Sequence, residues 1–120
     1  MNDPKRVLIV DDDAGIRQIL ELALAEEGYA VASATDGESA LASIGSFDPD
    51  VILMDLKMPG MDGWQFLRQY SLSGERRARV IVLTAASDAD QNADMSVADG
   101  ALAKPFDLTD LFALVERLAG

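Results

Sequence analysis

Residues 6–15 read "RVLIVDDDAG". Val7, Leu8, Ile9 and Val10 form an unbroken aliphatic run, and three carboxylates, Asp11, Asp12 and Asp13, follow directly. Consecutive apolar residues suit a strand covered on both faces, the kind found in parallel sheets. Like charges gathered at the end of such a strand repel one another unless a cation sits between them. Both the fold and the chemistry follow from this junction.

Four more short apolar segments lie downstream: Ala30–Ala34, Val51–Met54 (VILM), Val80–Leu83 (VIVL) and Ala101–Ala103. Amphipathic stretches separate them. "AGIRQILELALAEEG" places Ile16, Ile19, Leu20, Ala23 and Leu24 on one stripe, with Gly28 as its stop. "DGESALASIG" predicts a shorter helix ending at Gly45, and "GWQFLRQYSLSG" carries Trp64, Phe66, Leu67 and Tyr70, with Trp64 read as core. "SDADQNADMSVADG" has only Met95 and Val97 as sizeable anchors and predicts a short or frayed helix. "LTDLFALVERLAG" repeats apolar residues at Leu108, Leu111, Phe112, Val115 and Leu118. Strand and helix therefore alternate five times, which predicts right-handed crossovers and a doubly wound parallel sheet with helices on both faces.

The chain has 120 residues, enough for one domain with a real core. The expectation is a single domain over 1–120 with no output domain. No apolar run approaches a membrane span, and "MNDPKR" lacks a signal peptide's apolar segment, so a cytoplasmic protein without membrane insertion is expected. Cysteine and histidine are both absent. That excludes disulfides, thiolate metal sites, histidine bases and the common zinc ligands. The net charge of −11 opposes direct nucleic-acid binding, which depends on Lys and Arg neutralising phosphates.

In an open parallel sheet, ligands bind beyond the carboxyl ends of the strands, at the topological switch point. Asp11 and Asp12 follow the first strand, Asp55 the third, Thr84 the fourth and Lys104 the fifth. Carboxylate oxygens suit Mg²⁺. One hydroxyl and one amine suit the handling of a phosphoryl group, where catalysis is mainly positioning and charge neutralisation. A carboxylate can itself be the nucleophile, and Asp55 ends a central strand just before a turn. In "KMPGMDG", Pro59-Gly60 suits a type II turn and Asp62 suits a helix cap near Gly63. Asp13 is read as the cap of the first helix, and Met54, Met58 and Met61 as packing.

"LIVDDD", "LMDLKMPGMDG", "LTA" and "KPF" stand in the order seen in the receiver domains of two-component response regulators, and the chain resembles that CheY-like family over nearly its whole length. The resemblance implies the flavodoxin-like (βα)5 sandwich with strand order 2-1-3-4-5. It implies Asp55 as phosphoacceptor, and Mg²⁺ (or Mn²⁺) held by Asp11, Asp12, Asp55 and the backbone carbonyl of Lys57. Thr84 and Lys104 would meet the phosphoryl oxygens, and the Lys104–Pro105 bond is expected to be cis. A histidine kinase or histidine phosphotransfer protein would be the donor, and a further protein the downstream partner. The chain would be a switch rather than an enzyme, with self-phosphorylation and autodephosphorylation at most. Its output face would comprise the fourth helix, fifth strand and fifth helix, as a monomer or weak homodimer.

Departures from the family pattern bear on coupling. Ala101 stands where receivers commonly carry Tyr or Phe, and a methyl group has no rotamers to switch. The spacing from Thr84 to Lys104 is short, so ordering or shifting of residues 85–100 is the expected route for the signal. Lys57 and Ala86 occupy positions that tune phosphoryl lifetime in the family. Other functions fit less well. A flavodoxin-type FMN protein needs a neutral loop after the first strand, and a haloacid-dehalogenase phosphatase needs an acid where Lys57 stands. A receiver-fold interaction module acting without phosphorylation is the remaining alternative.

Overall fold

The computed structural model describes residues 4–55, 68–70, 78–85, 99–104 and 106–119, with the backbone alone at 84–85 and 103–104. Five strands form one parallel sheet: β1 (Arg6–Val10), β2 (Ala30–Ala34), β3 (Val51–Asp55), β4 (Arg79–Ala85) and β5 (Gly100–Lys104). Their order is β2-β1-β3-β4-β5. Helix α1 (Ala14–Glu26) connects β1 to β2, α2 (Gly37–Phe47) connects β2 to β3, and a further helix spans Leu108–Ala119. The strand order and the doubly wound arrangement are those expected.

The aliphatic strands divide their side chains between two cores, as a period of two requires. Val7, Ile9, Val51, Leu53, Ile81 and Leu83 face Leu20 and Leu24 of α1 and Leu111 and Val115 of the helix Leu108–Ala119. The alternate residues, Leu8, Val10, Ile52, Met54, Val80 and Val82, pack with Ala40, Tyr70 and Ala78, and partly buried Leu41, Ile44 and Phe47 lie against them. Residues 68–70 are helical, and the Tyr70 hydroxyl accepts the Ala78 backbone N–H at 2.9 Å. Trp64, Phe66 and Leu67, the turn at Pro59-Gly60, Asp62, Met58, Met61, Ala86 and the fourth expected helix around Met95 and Val97 lie outside the described residues, as does the Pro105 bond.

Carboxylates pin the amino ends of the strands. Asp50 Oδ2 accepts the Arg6 N–H at 2.8 Å, and Asp99 Oδ2 accepts the Val80 N–H at 2.8 Å. Both groups satisfy donors that lie just before or at the start of regular pairing.

Helix boundaries follow local chemistry. Gly28 takes φ 96°, its N–H donates to the Ala25 carbonyl and the Tyr29 N–H to the Leu24 carbonyl. This is a Schellman ending, with Tyr29 and Leu24 packed into the same core. The second helix departs from expectation: α2 runs past Gly45 to Phe47. Phe47 packs against the core there, and the chain turns instead at Asp48, with φ 53° and its N–H on the Ile44 carbonyl. Three strands are longer than expected. Asp55, Thr84 and Lys104 lie within β3, β4 and β5 rather than after them, because the ladder pairs continue to Asp55↔Leu83 and Ala85↔Lys104.

Ile19 also departs from the expected stripe. Successive helical residues are rotated by about 100°, so Ile19 sits well off the line of Ile16, Leu20 and Leu24. It is 58% exposed, and Leu22 is 68% exposed. Leu24→Ala is therefore expected to lower unfolding free energy by about 2–5 kcal/mol, and Ile19→Ala to change it by within about 0.5 kcal/mol, as read by urea denaturation. Equal losses would put Ile19 back on the core face.

Asp36 caps α2 by accepting the Ser39 N–H at 2.8 Å. That bond, joined by the Ser39 side chain, holds the Asp36 carboxyl below its ordinary value of 3.8. A depressed carboxyl stabilises the fold above the unfolded-state value, and the contribution is lost as pH falls through the folded-state value. NMR titration is expected to place the Asp36 midpoint below 3.8. Asp36→Asn, a neutral cap, should remove this part of the acid dependence of stability.

Candidate functional site

The chain leaves β1 toward β2 on one side, and after β2 it crosses back to β3 on the other side of β1. The strand order thus reverses beside β1, and in open parallel sheets ligands bind at such a switch point, beyond the carboxyl ends of the strands. The ladder between β1 and β3 pairs Val10 with Met54. The next residue on each side is an aspartate, so Asp11 and Asp55 stand side by side at this switch point.

Asp11, Asp12 and Asp55 each offer a carboxylate oxygen, and these oxygens all lie within 4.8 Å of one another. Asp11 is fully buried, Asp55 is 8% exposed and Asp12 is exposed. Two of the charges are thus held by the fold, and the third faces solvent. Ligand oxygens around octahedral Mg²⁺ lie about 2.1 Å from the ion, which sets neighbouring oxygens about 3 Å apart and opposite ones about 4.2 Å apart. Separations within 4.8 Å are of the same order as these spacings. An all-carboxylate set matches a hard divalent cation and excludes metals that select thiolate or imidazole.

The loop carrying two of these aspartates is built by its own hydrogen bonds. The Asp11 N–H donates to the Ala34 carbonyl at 3.2 Å. Asp11 Oδ1 accepts the Asp13 N–H at 2.9 Å. Asp13 is the expected cap: it has extended backbone, and its Oδ1 accepts the Ile16 N–H at 3.2 Å. Gly15 matters here, since a Cβ at that position would come within 3.2 Å of the Asp13 carboxylate. The Arg17 guanidinium donates from Nη1 to the Asp11 carbonyl at 2.8 Å. Sequence reasoning passed over Arg17; its only signal was a basic residue four positions after the capping aspartate.

Thr84 lies in β4 one residue beyond Leu83, the pairing partner of Asp55, and Lys104 is the last residue of β5. Their backbones thus reach the same carboxyl edge as the aspartates, while their side chains fall outside what the structure describes. Lys57 lies outside the described residues. Ala101 is exposed on β5, opposite Val82. Among the described residues, no helix is long and apolar enough to cross a membrane.

Comparison with known proteins agrees with this picture. Residues 7–116 match the family described as the response regulator receiver domain. The DNA-binding transcriptional regulator NtrC of Salmonella typhimurium is 43% identical over 113 residues, covering 92% of this chain and 24% of that protein. Response regulator MprA of Mycolicibacterium vanbaalenii is 36% identical over 116 residues, covering 96% of this chain and 50% of that protein. The chain thus spans between a quarter and a half of these relatives. The response regulator TrrA of Thermotoga maritima, solved in complex with Mg(2+)-BeF, superposes with a TM-score of 0.86 at 34% identity, covering 95% of this chain and 98% of that one. The chemotaxis response regulator CheY4 of Vibrio cholerae gives 0.85 at 34% identity, covering 96% and 98%. From Val7 to Glu116, the chain belongs to the receiver domain family of response regulators.

Proposed function

We propose that the chain is a phosphorylatable switch, with Asp55 as the phosphoacceptor and Mg²⁺ held by Asp11, Asp12, Asp55 and the Lys57 carbonyl. The observation that carries this reading is the convergence of three carboxylate oxygens within 4.8 Å at the switch point of the sheet. The complex of TrrA with Mg(2+)-BeF supports it by likeness.

In this reading an Asp55 oxygen attacks the phosphorus of a phosphorylated histidine on a kinase or phosphotransfer protein. The new O–P bond forms as the P–N bond breaks, and the electron pair leaves with the imidazole nitrogen, which takes a proton from solvent. A bound Mg²⁺ would neutralise charge on the phosphoryl oxygens. Asp55 sits at the end of a fully buried strand, so the nucleophile is rigidly placed and enters the reaction with little reorganisation. The Thr84 hydroxyl and the Lys104 amine, both carried on the same edge, would receive the remaining phosphoryl oxygens. The added dianion would then bias two conformations of the face that includes β5 and the helix Leu108–Ala119. A downstream protein, or a second copy in a weak homodimer, would read that face.

Incubation with acetyl phosphate, followed by intact mass measurement, tests the assignment. One phosphoryl adduct is expected with Mg²⁺, and none in EDTA or in Asp55→Asn. Lys104→Ala should lower the amount of adduct while leaving Mg²⁺ binding in place. An adduct that survives Asp55→Asn would move the acceptor elsewhere. No adduct from a folded wild-type chain would favour an interaction module that works without phosphorylation, a reading to which the methyl group at Ala101 is suited.

A further inference from the structure

The three carboxylates account for the cation site, and Asp13 accounts for the start of α1. Arg17 belongs to neither. Its backbone N–H makes an ordinary first-turn bond to the Asp13 carbonyl at 3.0 Å. Its side chain reaches six residues back, where Nη1 donates to the Asp11 carbonyl at 2.8 Å. Helical side chains lean toward the amino end of their helix, so a long side chain in this turn reaches behind the cap. Arg17 is half-buried along the way.

Asp11 is thereby held both along its backbone and at its carboxylate. Its N–H is tied to Ala34, its Oδ1 to the Asp13 N–H and its carbonyl to Arg17. The first bond places the residue and the second orients its carboxylate. The third fixes the plane of the Asp11–Asp12 peptide, and that plane sets where the Asp12 carboxylate starts from. Asp12 is exposed, so its placement depends on the peptide that Arg17 holds.

The geometry points to Arg17 as a positioning residue for the cation site: by clamping the Asp11 carbonyl, it keeps the Asp11 and Asp12 carboxylates aimed at the point they share with Asp55. This rests on the reading of those carboxylates as a Mg²⁺ site. Arginine suits the task because its fork of donors is planar and its charge does not titrate. The positive charge itself acts the other way, since a nearby cation opposes Mg²⁺. Positioning and charge therefore predict changes of opposite sign when Arg17 is removed.

Calorimetric titration of Mg²⁺ into wild type, Arg17→Ala and Arg17→Lys separates these effects, with urea denaturation of each in EDTA alongside. Loss of a group that orients a metal ligand typically weakens binding about 10-fold or more, and that is the result expected for Arg17→Ala. The urea midpoint in EDTA should stay near wild type. Arg17→Lys, which keeps the charge and one donor but loses the fork, should bind with intermediate affinity. Unchanged or tighter Mg²⁺ binding by Arg17→Ala overturns the proposal, as does a change confined to the urea midpoint. If Arg17→Ala fails to fold, wild-type affinity in Arg17→Lys overturns it instead. Absence of saturable Mg²⁺ binding by wild type would overturn it together with the reading of the site, whereas normal wild-type binding beside an unchanged variant overturns it alone.

Discussion

The ladder pair Val10↔Met54 is the constraint on which the rest of the molecule depends. It aligns two buried strands so that the next residue on each is an aspartate, at the carboxyl edge of the sheet where the strand order reverses. Two carboxylates less than 5 Å apart repel one another when both are ionised. The fold holds them there because the strands that carry them cannot slip. A shift of one residue would exchange the two cores, moving every aliphatic side chain from one face of the sheet to the other.

The surroundings keep that arrangement rigid while leaving it open. β3 is buried along its whole length, and β1 is buried from Val7 to Val10. Asp11 and Asp55 therefore have little freedom to move apart. Asp12 faces solvent and gives a cation a route in. Around them, Asp13 caps α1 and Arg17 reaches back over that cap, so the first helix and the acidic loop are a single hydrogen-bonded unit. A change of charge at this cluster would then be felt directly by the elements it is built from.

Much of this was legible in the sequence because the signals are strong and local. Continuous runs such as VLIV and VILM have one natural reading, a strand covered on both faces, and polar residues after them mark the functional edge. Asp13 before an amphipathic run is an ordinary cap. What was missed depends on tertiary context. Ile19 has the chemistry of a core residue, and only the direction from which the sheet approaches α1 shows that it faces out. Gly45 looked like a helix stop, but Phe47 gains core contacts by carrying the helix further, and Asp48 takes the left-handed turn instead. Arg17 carried no motif, since its role is set by where its long side chain ends rather than by where it starts. Strand ends were placed short because ladder pairing, not hydrophobicity, decides where Asp55, Thr84 and Lys104 belong.

The central claim is that the clustered carboxylates form a site for a divalent cation. Its most direct test is urea unfolding in EDTA and in Mg²⁺ at matched ionic strength, for wild type and Asp55→Asn. The account predicts that Mg²⁺ at ten times its dissociation constant stabilises wild type by about 1.4 kcal/mol. The same Mg²⁺ should stabilise Asp55→Asn much less. Equal stability of wild type in EDTA and Mg²⁺ would contradict it and would show the three aspartates to be ordinary structural groups.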